Sequence, residues 1–168
     1  MKKIIWMLFT VTFFLTACEF NAPLTTDHNI PIDQAILGYW KITSIENKVD
    51  ATEIRIYAFS ETEYVVHYLE DGDDLYFRAY AINVGGVPAV QLELMVGAGD
   101  GPGSNEEDDR YHVASYKIVD GMLRISTLNS NVIDDELPDS KSLREAFVAH
   151  KDHPELFNDP GIFRRIEG

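Results

Sequence analysis

Short segments in which apolar and polar side chains alternate recur along most of the chain. The first starts near Ala35, and its apolar face takes every second residue from Ile36 to Ile42. Seven more segments follow, at 53–59, 63–69, 75–84, 87–96, 110–119, 122–128 and 162–166. A period of two in segments rich in Val, Ile, Tyr and Phe is typical of half-buried antiparallel strands. The sequence therefore predicts a mainly β protein.

Residues typical of tight turns separate these segments. Two of the turns, at residues 70–74 (EDGDD) and at Asp120-Gly121, contain residues that tolerate positive φ. A third hairpin is closed by Gly85-Gly86. Residues 158–161 (NDPG) predict a turn before the last strand. Strands joined in sequence order by short turns predict an antiparallel meander. With about eight strands, closing the meander into a β-barrel removes its exposed edges. An open antiparallel sheet or a sandwich is the alternative.

One helix is predicted near the C-terminus, before the last strand. Residues 138–140 (PDS) form its start, Ser142 and Glu145 fit a capping box, and Pro154 limits it. The pattern shows no internal repeat and no second core. A single domain over residues 35–168 is therefore expected.

The N-terminus has the pattern of an export signal. Lys2 and Lys3 precede residues 4–15 (IIWMLFTVTFFL), and residues 1–17 contain no acidic side chain. A helix over this apolar run would be about 20 Å long, shorter than the ~30 Å hydrocarbon layer of a bilayer. A secretory signal over residues 1–17 is favoured. The alternative, an N-terminal anchor helix, would need about 20 apolar residues.

The residues that follow, Leu15-Thr16-Ala17-Cys18, resemble the lipobox of bacterial lipoprotein precursors. The resemblance implies that Cys18 carries a diacylglyceryl lipid, that the chain is cleaved before it, and that its new amine is acylated. Several acyl chains would anchor the protein stably in a membrane. In such envelope lipoproteins an aspartate after the cysteine can signal inner-membrane retention, so Glu19 favours the periplasmic face of the outer membrane.

Residues 19–34 contain Pro23 and Pro31 and show neither helical nor strand periodicity. We therefore predict three parts: a signal peptide over 1–17, a lipidated flexible tether over 18–34 and a barrel domain over 35–168. A flexible chain of this length would hold the domain roughly 20–25 Å from the bilayer.

The string Gly38-Tyr39-Trp40 at the entry to the first strand resembles the Gly-x-Trp signature of lipocalins and other calycins. In that family the tryptophan closes the base of the barrel, and an arginine from near the C-terminal end packs across its ring. The resemblance implies this role for Arg164, which alternates onto the same predicted face as Ile162 and Ile166. Trp40 as an ordinary large core residue is the alternative. The middle of the chain lacks the Thr-Asp-Tyr segment of the family, and it also lacks a disulfide.

Charge and cysteine content exclude several classes of function. The formal charge is −14, and it becomes −16 without residues 1–17, which carry two lysines and no acid. Such a charge argues against nucleic-acid binding and against electrostatic attachment to anionic lipids. The lone cysteine excludes an internal disulfide and a cysteine-rich zinc site.

No residue pattern indicates a metal centre or a catalytic site. Residues 97–109 (GAGDGPGSNEEDD) could supply calcium ligands from Asp100, Glu106, Asp108 and Asp109, but the order of an EF-hand is absent, and a solvated loop is favoured. His150 and His153 lie three residues apart without further ligands at metal-binding spacing. Ser104 does not lie in a Gly-x-Ser-x-Gly elbow. A non-catalytic protein without a metal or other cofactor is therefore expected, apart from the covalent lipid.

Aromatic residues concentrated in the predicted strands give the one positive indication of a ligand. In a barrel some of them would point inward and line an apolar cavity, although a core filled by side chains is an equal alternative. The candidates are Tyr64, Tyr68, Tyr76, Phe77, Tyr80, Tyr111 and Tyr116.

Two functions fit this pattern. In the first, the barrel binds a small apolar or amphipathic ligand. In the second, a solid barrel binds a basic protein partner through its acidic loops. An enzyme acting through loop carboxylates or histidines is the least favoured.

Overall fold

The computed structural model describes residues 19–43, 52–70, 73–96 and 111–167. A 3-10 helical turn, Gln34–Ile36, precedes the first strand, and one α-helix, α1 (Ser140–Ala149), precedes the last strand. The strands are β1 (Gly38–Ile42), β2 (Glu53–Ala58), β3 (Glu63–Glu70), β4 (Asp73–Val84), β5 (Val87–Val96), β6 (Tyr111–Val119), β7 (Met122–Leu128) and β8 (Phe157–Ile166).

The eight strands form a closed antiparallel barrel in sequence order, which confirms the predicted fold class. Each strand pairs with its neighbours along the chain, and β1 also pairs with β8, so that Trp40 lies opposite Arg165. Closure gives every described strand two partners, and an unpaired edge is avoided. The open sheet and the sandwich are therefore excluded.

Side chains on the inner and outer faces of the barrel form two separate cores. The inner core includes Trp40, Ile54, Tyr64 and Phe163. The outer core lies between the outer faces of β4 to β6 and a covering layer that includes α1, and α1 contributes Leu143 and Phe147 to it. The expectation of no second core is wrong, because alternation along β4 places Tyr80, Ile82 and Val84 outside the barrel, where α1 and the N-terminal segment cover them.

The N-terminal segment belongs to this covering layer. The backbones of Phe20 and Tyr111 exchange two hydrogen bonds, and Phe20 is only 2% exposed. Further along, the amide of Leu24 donates to Gln91 Oε1 at 2.7 Å, and Thr25 is also buried. The prediction of a flexible tether is therefore wrong for residues 19–34, which are part of the domain.

Two local predictions in the C-terminal part are also wrong. Residues 158–161 do not form a turn but lie within β8, where Pro160 falls at an irregularity in the pairing with β7. Proline is tolerated there because the ladder is already interrupted. The N-cap of α1 is Asp139, whose carboxylate accepts the amide of Ser142 at 2.7 Å, so Ser142 is not the capping residue.

The strand directions give the barrel two distinct ends. We call the end at which β1 begins the closed end, because the turn Gln34–Ile36 precedes β1 there and contributes the buried side chain of Ile36 to the inner core. The turns at Gly85-Gly86 and Asp120-Gly121 lie at the same end. The opposite end is the open end, where β3 passes into β4 and β5 ends. The N-terminal segment starts at the open end beside Tyr111 and runs along the outside to the closed end, where the amide of Ile32 donates to the carbonyl of Glu61 at 2.9 Å.

Candidate ligand-binding cavity

The inside of the barrel contains a cavity of about 180 Å³, and its described lining reaches from Ile36 near the closed end to Glu19 and Glu70 at the open end. Its wall is formed almost entirely by apolar side chains that project inward from β2 to β7. Two of the inward positions, Ala79 on β4 and Ala114 on β6, carry only a methyl group and leave space that larger side chains would fill. Cavities of about 150 Å³ with apolar walls stay dry and hold a molecule of the size of benzene. This cavity therefore has room for one ring or for part of one hydrocarbon chain.

A small polar group lies at the closed end of the cavity. The hydroxyl of Tyr116 donates to Asp33 Oδ2 at 3.0 Å, and the amide of Asp33 donates to the hydroxyl of Tyr64 at 2.5 Å. Burial raises the pKa of both phenols above the ordinary value, and the neighbouring Asp33 carboxylate raises that of Tyr116 further. The two hydroxyls are therefore neutral hydrogen-bonding groups in an otherwise apolar interior.

Two carboxylates are among the described residues at the open end of the cavity. Glu19 and Glu70 both line it, whereas its described lining residues include no lysine or arginine. The carboxylate of Glu70 accepts the hydroxyl of Tyr68 at 2.6 Å and that of Thr52 at 3.4 Å. Both donors are neutral, so they fix the position of the carboxylate without compensating its charge. We call Glu19 and Glu70 the mouth carboxylates.

Four of the seven aromatic residues predicted to line a cavity do so. Tyr64, Tyr68 and Phe77 line it together with Tyr116. His112 lines it as well, with its ring edge-to-face against Phe77 at 5.6 Å between centroids.

The other three aromatic residues lie on the outer face, so their predicted role is wrong. Tyr80 is buried in the outer core, and Tyr111 packs against that core. Tyr76 stacks on the ring of His67 at 4.2 Å between centroids. The reason is the period of two, because Tyr76 and Tyr80 alternate with the inward residues Phe77 and Ala79, and Tyr111 with His112.

At the closed end, a cation covers the tryptophan of the inner core. The guanidinium carbon of Arg165 lies 4.3 Å from the centroid of the Trp40 ring. The same guanidinium donates to the carbonyl of Leu37 at 2.7 Å and to that of Ala35 at 2.6 Å. Arg165 thus ties the start of β1 to the end of β8 across the closed end.

The prediction of Arg164 for this position is wrong. It assumed that Ile162 and Ile166 point inward, but Phe163 is the residue of β8 that is fully buried in the inner core. A shift of one residue exchanges the two faces of a strand. Arg165 therefore alternates onto the inner side together with Phe163, whereas Arg164 is exposed and lies opposite Lys41.

Gly38 fits the same arrangement for two reasons. Its φ is +120°, a conformation that residues with a side chain rarely adopt. A Cβ at this position would also lie 2.8 Å from Nη1 of Arg165. The backbone conformation therefore favours glycine in the Gly-x-Trp string, and a side chain here would also force the Arg165 guanidinium to shift.

Sequence reasoning missed Glu70, Asp33 and Arg165. Glu70 could have been found, because it shares the alternation of Tyr64 and Tyr68 on β3. Asp33 could not have been found by alternation, since it precedes the first strand and reaches the cavity through the 3-10 turn.

The remaining sequence hypotheses concern other parts of the chain. Cys18, the signal segment and residues 97–109 with their calcium hypothesis lie outside the described residues. In the described ranges, no three or more His, Cys, Asp or Glu side chains come together as a metal site would require. His150 is exposed, and its Nδ1 lies 2.9 Å from the carbonyl oxygen of Ala146 at the end of α1.

Comparison with protein-family models, curated proteins and solved structures finds no match for this chain. Over the described residues, no helix reaches the length and apolar character needed to cross a bilayer. The fold and the site together define a closed eight-stranded antiparallel barrel with an apolar cavity, whose described lining includes the carboxylates of Glu19 and Glu70.

Proposed function

We propose that this protein is a lipid-anchored lipoprotein of the bacterial envelope, without catalytic activity, whose barrel binds a small apolar or amphipathic ligand. The observation that carries the proposal is the apolar cavity of about 180 Å³ inside the barrel. Apolar concave sites with a few polar groups are the usual form of small-molecule sites. This observation does not favour the alternative function, in which a barrel filled with side chains binds a basic protein partner through acidic loops.

The arrangement at the closed end supports the resemblance to lipocalins. Gly38 and Trp40 lie at the entry to the first strand, and an arginine from the last strand packs on the Trp40 ring. In lipocalins and other calycins the same groups close the base of a barrel. The likeness concerns these few residues and the strand order, and it points to the same type of ligand site.

The position of Glu19 connects the two halves of the proposal. Glu19 lines the cavity mouth, and Phe20 is held against β6 by two backbone hydrogen bonds. A residue spans at most about 3.6 Å of extended chain, so an acyl group on Cys18 would hold the mouth close to the membrane. A ligand leaving or entering the cavity would then do so next to the bilayer.

Ligand binding is tested with the chain from residue 18 onward carrying Cys18→Ser, which contains every described strand and both cores. Trp40 is the one tryptophan outside residues 1–17, and it lies in the inner core. An uncharged apolar fluorophore should therefore bind with energy transfer from Trp40. Filling the cavity with Ala114→Phe should weaken uptake at least about tenfold, because the ring takes the space of the ligand.

The matched control is Ala149→Phe, which adds the same ring at an exposed position at the end of α1, outside the barrel, and should leave uptake unchanged. If Ala114→Phe does not fold, Ala79→Leu replaces it as the cavity-filling variant, because leucine takes up less space than phenylalanine but still reduces the cavity. Absence of uptake by the parent chain, together with native mass spectra of bare protein, would refute the binding function.

The lipid anchor has a separate test in the full chain expressed in a bacterium. Cys18→Ala should abolish incorporation of labelled fatty acid and release the protein from the membrane fraction, since the chain has no other cysteine. Thr16→Ser retains a small residue before the cysteine and should keep both the label and the membrane association. Equal labelling of the Cys18→Ala variant would contradict the lipoprotein assignment.

A further inference from the structure

We infer that the outer face of β6 to β8 carries a binding site for a soluble phosphate group, either inorganic phosphate or a small phosphate monoester. The site lies outside the barrel cavity, so it is independent of the ligand that the cavity binds. The inference rests on a pocket with two cations, two hydroxyls and a buried donor that has no acceptor among the described residues.

The pocket has a volume of about 290 Å³. Its polar side chains come from β6 and β7, and β8 adds the apolar surface of Phe157 and Pro160. Lys117 and Arg124 alternate along their strands with residues that line the barrel cavity, so their side chains lie on the outer face. The polar residues of the pocket that can bind a ligand are Ser115, Lys117, Arg124 and Ser126.

The pairing of β6 with β7 brings these four residues together. Lys117 lies directly opposite Arg124, and Ser115 lies opposite Ser126. Side chains at such positions have their Cβ atoms about 4.5–5.5 Å apart, and like charges that face each other destabilise a sheet. An anion bound between Lys117 and Arg124 would remove this repulsion.

Neither cation has a carboxylate partner in the part of the chain that the structure describes. Nε of Arg124 is buried and has no hydrogen-bond acceptor among the described residues. Buried donors are nearly always paired, so this N–H is expected to find its acceptor in a bound molecule. A water molecule would accept from Nε but would leave both positive charges uncompensated.

Phosphate is the anion that fits these groups best. The guanidinium presents its N–H donors in a planar fork that binds two oxygens of one phosphate, and the lysine ammonium adds a point charge. A phosphate monoester carries a charge of about −1.5 to −2 and three acceptor oxygens, enough for both cations and a serine hydroxyl. A carboxylate has one charge and two oxygens, so one of the cations would stay uncompensated.

The negative charge of the whole chain does not exclude this site. The formal charge without residues 1–17 is −16, but the described lining of the pocket contains no aspartate or glutamate. Physiological salt largely screens surface charges that are more than about 8 Å apart, so the two cations decide the local preference. The same net charge opposes approach to an anionic bilayer, which favours a soluble phosphate over a lipid head group.

The experiment is a nuclear magnetic resonance titration of the isotope-labelled chain from residue 18 onward with Cys18→Ser. Inorganic phosphate and acetate are compared at one pH and at equal ionic strength, which is adjusted with sodium chloride. Phosphate should shift the amide signals of residues 115–117 and 124–126. It should bind at least about tenfold more tightly than acetate because it engages both cations.

Variants of the two cations assign the binding to the pocket. Arg124→Gln should weaken phosphate binding at least about tenfold, and Arg124→Lys should restore only part of the loss, because lysine keeps the charge without the fork. Lys117→Gln changes an exposed residue, should weaken binding about twofold to fivefold, and keeps the test decisive if Arg124→Gln does not fold. The matched control is Arg144→Gln, which removes an exposed charge from α1 and should leave the affinity unchanged.

Two further measurements test the ligand itself. Asp159 is the acidic residue of β8, and its side chain lies outside the described ones. Phosphate binding that appears only in Asp159→Asn would mean that a carboxylate of the chain occupies the pocket, and it would overturn the inference. Phosphatidylcholine vesicles with added phosphatidate should not sediment the parent chain. Sedimentation that depends on Arg124 would assign the site to a lipid head group and overturn the soluble source.

The remaining outcomes are equally decisive. Absence of phosphate binding, equal affinity for phosphate and acetate, or an unchanged affinity in Arg124→Gln would overturn the inference. Amide shifts confined to other parts of the barrel would also overturn it. None of these results would affect the proposed cavity function, whose test uses an uncharged apolar fluorophore and variants inside the barrel.

Discussion

Replacing Phe20 with alanine is expected to lower the free energy of unfolding by about 3–5 kcal/mol, the cost of removing a large aromatic side chain from a core. Phe20 is 2% exposed and packs in the outer core, and its backbone pairs with Tyr111. For a domain of this size the loss corresponds to a decrease in the melting temperature of roughly 6–20 °C. Thermal and chemical denaturation of the chain from residue 18 onward with Cys18→Ser would measure it.

The control is Phe59→Ala, which removes the same side chain from a position that is 65% exposed. Its effect on unfolding should stay within about 0.5 kcal/mol. Equal stability of the Phe20 and Phe59 variants would mean that the N-terminal segment does not contribute to the folded domain. It would then act as the flexible tether that its sequence suggested.

Replacing Gly38 with alanine is expected to cost about 2–4 kcal/mol. Holding a residue with a side chain at a φ of +120° costs about 1–3 kcal/mol. The new methyl group also displaces the guanidinium of Arg165 from the Trp40 ring, a contact worth roughly 1 kcal/mol. Chemical denaturation would measure the loss of stability.

Gly86→Ala separates the two contributions to this effect. Gly86 also has a positive φ, +87°, but a Cβ there would meet no atom within 4 Å. Its replacement should therefore cost only the backbone strain. In an Arg165→Ala background the cost of Gly38→Ala should fall by about 1 kcal/mol, because the contact is already lost. An unchanged cost in that background would show that Arg165 and Gly38 are not coupled.

Most of the barrel was predictable from the sequence because each strand alternates between two environments. The predicted segments 87–96 and 122–128 coincide with β5 and β7, and most of the others differ by one or two residues at their ends. The last strand is the exception. Pro160 and Gly161 indicate a turn by composition, but a pairing irregularity accommodates them within β8.

The choice between Arg164 and Arg165 depended on which face of β8 points inward. Ile162 and Ile166 are apolar, and so is Phe163, so composition alone allowed both assignments. Pairing with β1 places Arg165 opposite Trp40, and burial of Phe163 sets the face. A register is a property of two strands together, and one strand does not carry it in its own sequence.

The packing of the N-terminal segment was even less predictable from its own sequence. Phe20 and Leu24 are isolated apolar residues among polar ones, without the periodicity of a helix or a strand. Their burial comes from the outer faces of β4 to β6, which alternation along those strands leaves apolar. The outward apolar residues of β4, Tyr80, Ile82 and Val84, were the signal that a covering layer was needed.

The sequence by itself determined the strand pattern, the meander order and the export and lipidation hypotheses, because these depend on residues that are neighbours along the chain. Only the tertiary structure decided the closure of β1 on β8, the position of Arg165, the packing of residues 19–34 and the presence of a cavity. Each of these depends on how distant segments meet. Alternation shows which side chains face the interior, but whether they fill it depends on the summed volume of side chains from several strands around one axis.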